Sequence, residues 1–460
     1  MSQDPSAALT HLRKFQTETH ALKGPTWTGA LRSLQACVTA HPEDGILIAQ
    51  VLQDEDSDLR SSVIHGWDRA TLSDTLIEQS LATISGWDLN EVRRTTSAML
   101  SNGGGPEHPT TWHTYESARA LASSLWPTEP TDGVILDRAD IVMEAINHPA
   151  GDLAEFWTKV VQWEWSQAGA AWDGLPGEIA AELDRLVAAA DRNGLLARAF
   201  LASQLHFFFA ADRDWCATRL LPLFDWTNAA EATGAWQGFL TWGRWNDGLL
   251  QAGLLDDYLA TAAHTDGLPN DLSRQLAIHL TSIAMFASAE PTSWLTRFVL
   301  DAPEDLRVAW AEQVTHALVK LDPDEASLQW ERWIQAYWST RNQSVPRPFT
   351  RAEASATATW VIGLPGERSQ AVDLILGTSA GLEEHGRFLY RIKDLDLAAE
   401  AGDWARMLTH LLKNTSGQQW GIGYVLQEIV PQLRAGNPPP DLTDLVNEAM
   451  RLGVTNAADW

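Results

Sequence analysis

The chain has 460 residues, 20% of them charged and 45% hydrophobic, an ordinary globular balance with ample length to bury a core. Its net charge of −27 argues against nucleic-acid binding over a broad face, because most of the surface would meet phosphate as like charge. No run of roughly 18 apolar residues exists, so no membrane-spanning helix is expected, and two cysteines, Cys37 and Cys216, are too few for a disulfide framework.

The first fifteen residues are polar and carry no signal-peptide apolar run. With the low cysteine count, this gives a cytoplasmic location as the default expectation. Residues 72–84 have helical apolar spacing. They lie between Gly66-Trp67-Asp68 and Gly86-Trp87-Asp88, which read as equivalent turns in consecutive helical units. A Trp-Asp dipeptide also occurs in β-propellers, but those need four strands per blade. Gly103, Gly104, Gly105 and Pro106 make a loop with no lysine to meet a phosphate. The stretch 101–135, rich in Gly, Pro and Thr, is the expected seam between an N-terminal helical group, 1–125, and a larger C-terminal helical-repeat region, 135–460.

Beyond the seam, Asn147-His148-Pro149 reads as a helix stop, since the residue before proline avoids the α region. Leu153, Phe156, Trp157, Val160 and Val161 then fall on one helical face. Residues 179–190, 195–210, 272–287, 305–321 and 399–412 also read as helices. So do Trp330, Trp333, Ile334, Tyr337 and Trp338, which fall at i, i+3, i+4, i+7 and i+8. Breaks come at turns such as Trp126-Pro-Thr-Glu-Pro, Asp173-Gly-Leu-Pro-Gly and Ala435-Gly-Asn-Pro-Pro-Pro. No series of alternating segments with two-residue hairpin turns occurs. The expected fold is all-α, a solenoid of antiparallel helix pairs of the HEAT or TPR kind.

Chemistry-bearing motifs are scarce. There is no Walker loop, G-x-G-x-x-G, H-E-x-x-H or paired C-x-x-C. Gly377-Thr-Ser-Ala-Gly381 matches G-x-S-x-G, and Glu383, Glu384 and His385 follow. A nucleophile elbow needs strand, turn and helix, however, so a helix-terminating turn is the better account of Ser379. His206 sits in an apolar segment, as a core histidine donating to a carbonyl would, and His108 and His113 flank Pro109 in a loop. Neither case has metal-ligand spacing, and no cofactor is expected. Arg341, Arg347 and Arg351 around Pro346 and Pro348 are the best local basic patch, with a solvated loop the simpler reading.

The 23 tryptophans against 5 tyrosines leave two function classes. Indoles on helical stripes pack helix junctions. Alternatively, a helical toroid that hydrolyses sugars would stack rings on pyranose faces and use two carboxylates, with Asp68, Asp88, Asp173, Asp225 and Asp247 as candidates. In Trp236-Gln-Gly-Phe-Leu-Thr-Trp-Gly-Arg-Trp245, Gly238 and Gly243 would let helices approach closely, and Trp236, Phe239 and Leu240 share a face. Arg244 could stack on Trp242 or Trp245.

The segments 145–157, Ala202-Ser-Gln-Leu-His-Phe207, Leu220-Leu-Pro-Leu-Phe-Asp-Trp226, 235–246 and 451–460 occur in this order. Together they resemble the long helical region that follows a sirtuin-like domain in some bacterial antiphage proteins, a likeness covering most of residues 60–460. In that family the sirtuin-like domain cleaves NAD⁺ when infection is sensed, and the helical part senses, regulates or assembles. No Gly-rich nucleotide loop or sirtuin-type histidine motif is found in the 460 residues, so no NAD-cleaving residue carries over. The resemblance implies either the helical part of a larger product or a stand-alone relative of a separate effector. The expected function is a non-catalytic sensor whose partner is a protein, an effector domain or a phage protein. Its candidate binding residues are Trp236, Trp242, Arg244, Trp245, His148 and His206.

Overall fold

The computed structural model describes residues 5–17, 26–126, 140–383, 385–416, 421–435 and 439–460. Among these the regular structure is helical throughout, with no strands. No single helix among them is long and apolar enough to cross a membrane. The helices begin where the sequence supplies a polar cap. Thr26, Ser73, Asp88, Asp140, Asp191, Asp212, Asn228 and Thr350 each accept a backbone N–H of the first turn that would otherwise lack a partner. Asp322 and Glu325 form a reciprocal capping box ahead of Pro323.

The described chain forms two compact units, Met1–Trp245 and Asn246–Trp460. In the first, helices pack in succession: Trp27–Ala40 on Ser57–Arg69, then Leu89–Ser101, Pro149–Ala168, Arg192–Ser203 and Ala229–Trp242. A second row runs from Pro42–Ala49 through Asp74–Ser85 to Glu116–Leu125. Alternate helices of the chain therefore stack on one another. Gly238 sits where Ala229–Trp242 crosses Arg192–Ser203; a Cβ there would lie 1.9 Å from the Ala199 carbonyl oxygen.

Of the expected seam, 101–126 are described and include the helix Glu116–Leu125, while 127–135 lie outside the described residues; the flanking helices belong to one unit. Ser97 donates to Asp152 at 2.9 Å, Arg119 pairs with Glu164 at 2.7 Å, and Lys159 reaches the Ser101 carbonyl. The helices before and after the seam therefore bury a common face. Gly66-Trp67-Asp68 and Gly86-Trp87-Asp88 also differ from expectation, because they are not equivalent turns. The first triplet lies inside Ser57–Arg69, where Gly66 lets Val38 pack close. The second ends one helix and caps the next through Asp88. The two indoles stack, with centroids 6.5 Å apart. Residues 195–210 are not one helix either: the chain bends by 74° between Arg192–Ser203 and Leu205–Ala211. The turn near 173–177 matches expectation, with Gly174 at φ +100°. Of the proline-rich turn after Ala435, residues 436–438 lie outside the described residues.

In the second unit, Asn270–Phe286 packs on Glu304–Leu318, which packs on Arg351–Ala358. The other row runs from Leu255–Ala262 through Pro291–Asp301, Gln335–Asn342 and Arg368–Leu376 to Ala401–Lys413 and Leu442–Arg451. The stripe expected at 330–338 is core: Trp330, Trp333, Ile334, Tyr337 and Trp338 are all buried. Trp360 stands among them, with ring centroids 5.5 to 5.8 Å from Trp310, Trp333, Tyr337 and Trp338. Its indole N–H donates to the Ala311 carbonyl at 2.8 Å. Edge-to-face rings of this kind add to the stabilisation that burial alone gives.

Candidate functional site

Helix Ala229–Trp242 ends at Gly243, whose N–H donates to the Phe239 carbonyl at 2.6 Å. A Cβ at Gly243 would lie 2.3 Å from the Phe239 ring, so only glycine lets the chain turn over that ring. The close approach there is local, whereas Gly238 provides the one between helices. The turn divides the candidate residues. Trp236 points inward at 0% exposure, donates to the Phe224 carbonyl at 3.2 Å and meets the Phe224 ring edge-on at 5.0 Å. Its place in the core removes it from the candidate binding residues. Trp242 points outward and is 45% exposed. Arg244 is exposed and Trp245 half-buried. The expected stacking of Arg244 on an indole does not form: among the described residues no ring lies under its guanidinium.

Arg244 acts instead on His206. Burial lowers the His206 pKa, and the positive charge of Arg244 lowers it further, which favours the neutral imidazole. The bend at Gln204 leaves His206 half-buried, and its Nδ1 is buried without a partner, so it is not the carbonyl-bonded core histidine expected. Next to it, Phe207 meets Trp165 at 5.9 Å, and Trp165 stacks on Trp172 at 6.0 Å. All three rings are half-buried. Sequence reasoning missed this aromatic band because the bend that turns it outward has no glycine or proline to announce it. His148 has a structural task. It caps helix Pro149–Ala168, its Nδ1 accepting the Ala150 N–H at 3.1 Å, and burial lowers its pKa.

Four of the five acids weighed for hydrolysis have local roles. Asp68 lies 2.8 Å from His108 Nδ1 and accepts from Asn102 at 3.1 Å, and burial raises its pKa. Asp88 caps a helix, Asp225 holds the Thr227 N–H, and Asp247 holds the Ser288 N–H. Asp173 is exposed. A different set of acids does share a cleft in the first unit. About 530 Å³ in volume, it is lined by Glu116, Glu164, Glu178, Glu182, Arg119 and Trp163, among others. Two of these acids are tied: Glu164 to Arg119, which lies 5.1 Å from the Trp163 ring, and Glu182 to Arg185 and Ser123. These residues come from three helices, and no local motif connects them.

Ser379 is exposed in the loop that follows helix Arg368–Leu376, with no preceding strand, as a helix-terminating turn requires. Among the described residues no group of His, Cys, Asp and Glu side chains is placed to hold a metal. The arginine patch is neither a patch nor a solvated loop. Arg347 is exposed and Arg351 pairs with Glu383 at 3.7 Å, but Arg341 is buried against Glu353. Neither a family model, nor a characterised protein, nor a solved structure matches this chain.

Proposed function

We propose that the chain is a non-catalytic protein-interaction module that contacts its partner through Trp242, Arg244 and Trp245. One observation carries this reading: among the described residues Trp242 is the only exposed tryptophan, and an arginine stands two residues from it. Exposed tryptophan and arginine are the residue types that anchor protein interfaces. His206 and the band formed by Phe207, Trp165 and Trp172 extend the candidate surface. The succession of alternate stacked helices supports a solenoid-like repeat array, an architecture that presents long faces to partners. The resemblance set out above supports a setting in antiphage defence, with an NAD-cleaving effector as the partner. The test is co-purification of the chain with the product of an adjacent effector gene. Trp242→Ala combined with Arg244→Ala is expected to abolish the association at an unchanged melting temperature; undiminished association refutes the proposal.

The cleft of glutamates beside Trp163 supports a second reading, a carbohydrate-active hydrolase. It is the weaker one, because Glu164 and Glu182 are already neutralised by arginines. Sugar release from a polysaccharide panel, lost in Glu116→Gln or Glu178→Gln, would favour it.

A further inference from the structure

Arg307, Arg341 and Glu353 lie in the core of the second unit at 2%, 2% and 1% exposure. Both guanidiniums pair with the same carboxylate, Arg307 at 3.2 Å and Arg341 through Nη2. Among the described residues no second carboxylate pairs with either arginine, so the cluster carries one buried positive charge in excess. That excess is at odds with the rest of the chain. With 60 acidic residues available, the buried Arg60 has two acids, Asp54 and Glu91. Uncompensated buried charge is costly, and a site that binds an anion has that charge neutralised when it is filled.

Arg341 is held as a binding group would be. Its Nη1 donates to the Arg347 carbonyl, its flat face lies 4.3 Å from the Phe349 ring, and its Nε has no partner. It lines a cleft of about 270 Å³ between helices Pro291–Asp301 and Gln335–Asn342, closed at one side by Val345 and Pro346. No acidic side chain lines this cleft, unlike the glutamate cleft of the first unit. The exposed Thr292 and Thr296 line it, Leu295 and Val299 give apolar walls, and Tyr337, which also lines it, hydrogen-bonds Arg341. The volume suits roughly eight to ten non-hydrogen atoms, taking about 30 Å³ per water-sized group.

We propose that this cleft binds a small organic monoanion, a carboxylate with a short apolar body, and that Arg341 is its charge partner. The carboxylate takes the place of the missing second acid, and the apolar body lies along Leu295 and Val299. This inference does not rest on the contact surface around Trp242. The test is calorimetric titration of the full chain with hexanoate, using hexanamide as the neutral probe of the same size. Saturable binding of hexanoate with at least tenfold weaker binding of hexanamide is expected. Thr296→Trp, at an exposed position that fills the mouth without touching the buried charges, is expected to weaken hexanoate binding at least tenfold. Arg341→Gln, which leaves Arg307 and Glu353 balanced, is expected to remove the preference for hexanoate over hexanamide. No binding of hexanoate, equal binding of hexanamide, or full binding by the folded Thr296→Trp variant would each overturn the proposal.

Discussion

The two units use tryptophan differently. In the second, Trp294, Trp310, Trp330, Trp333, Trp338, Trp360 and Trp404 are all buried, and several share one cluster of interlocking rings. In the first, Trp67, Trp112, Trp126, Trp157, Trp215 and Trp236 are buried too, but Trp27, Trp87, Trp163, Trp165, Trp172, Trp226 and Trp245 are half-buried and Trp242 is exposed, whereas in the second only Trp460 among the described residues is half-buried. The same residue type therefore acts as mortar in both units and, in the first, also forms a partly wetted surface. The difference comes from how many sides of each indole are covered. A helical stripe such as 330–338 faces helices on both sides, whereas Trp165, Trp172 and Trp242 stand near helix ends where the cover stops.

The largest effect that could break this comparison lies at Trp360. Replacing it with Ala removes four ring contacts and the bond to the Ala311 carbonyl, and is expected to cost about 3–5 kcal/mol by urea unfolding. A loss below about 1 kcal/mol would mean that the cluster does not hold the second unit together. Acid should also separate the units. Burial presses the pKa of His279, in helix Asn270–Phe286, down to about 4, and its Nδ1 lies 2.7 Å from the Tyr258 hydroxyl. The unfolded histidine titrates near 6.5. As pH falls, the unfolded chain takes up its proton first, so stability drops between about 6.5 and about 4, by up to ~3 kcal/mol. Asp152, in the first unit, has the opposite sign. Burial raises its pKa to about 6, so the folded form keeps a proton that the unfolded chain has released, and this contribution grows as pH falls below about 6. Helix-resolved hydrogen exchange at pH 7 and pH 5 should show protection falling in Asn270–Phe286 relative to Pro149–Ala168. His279→Gln should remove that fall; an unchanged profile in the variant would refute the assignment.

The helical class was legible because apolar spacing is a local signal, and the stripes at 153–161 and 330–338 are buried as their periodicity requires. Burial of individual candidates was less legible. Trp236 and Trp242 lie six residues apart in one helix, and only the turn at Gly243 and the cover provided by Phe224 decide which indole is wet. The glutamate cleft and the Arg307–Glu353–Arg341 cluster depend on residues distant in sequence, and the bend at Gln204 has no glycine or proline to mark it. A single chain read in order gives no signal for them. Arg341 is the clearest case: its neighbours Arg347 and Arg351 suggested a surface patch, and its burial reverses that reading.

A smaller effect is expected at Gly238, where the comparison is sharpened from the side of the first unit. At Gly238 the first unit joins two helices by close backbone approach, whereas around Trp360 the second joins its helices by interlocking rings. A methyl group at Gly238 would collide with the Ala199 carbonyl oxygen 1.9 Å away, which belongs to backbone and cannot swing aside. Gly238→Ala is therefore expected to destabilise by about 1–3 kcal/mol in urea unfolding. A neutral result would show that the two helices can part freely.

The smallest effect on stability, and the most informative one on function, belongs to Trp242. With 45% of its surface already in water, its truncation removes little buried area, and Trp242→Ala is expected to change stability by less than about 0.5 kcal/mol. Trp236, six residues earlier and fully buried, should respond like Trp360 and lose about 3–5 kcal/mol on the same change. The pair thus forms an internal control within one helix, in which the residue that matters least to folding is the one assigned to partner contact. If Trp242→Ala destabilises as much as Trp236→Ala, its indole is a packing element and the proposed contact surface loses its anchor. If stability is kept while the partner dissociates, the exposure of Trp242 reflects recognition, because an indole that folding does not require leaves binding as the property its removal changes.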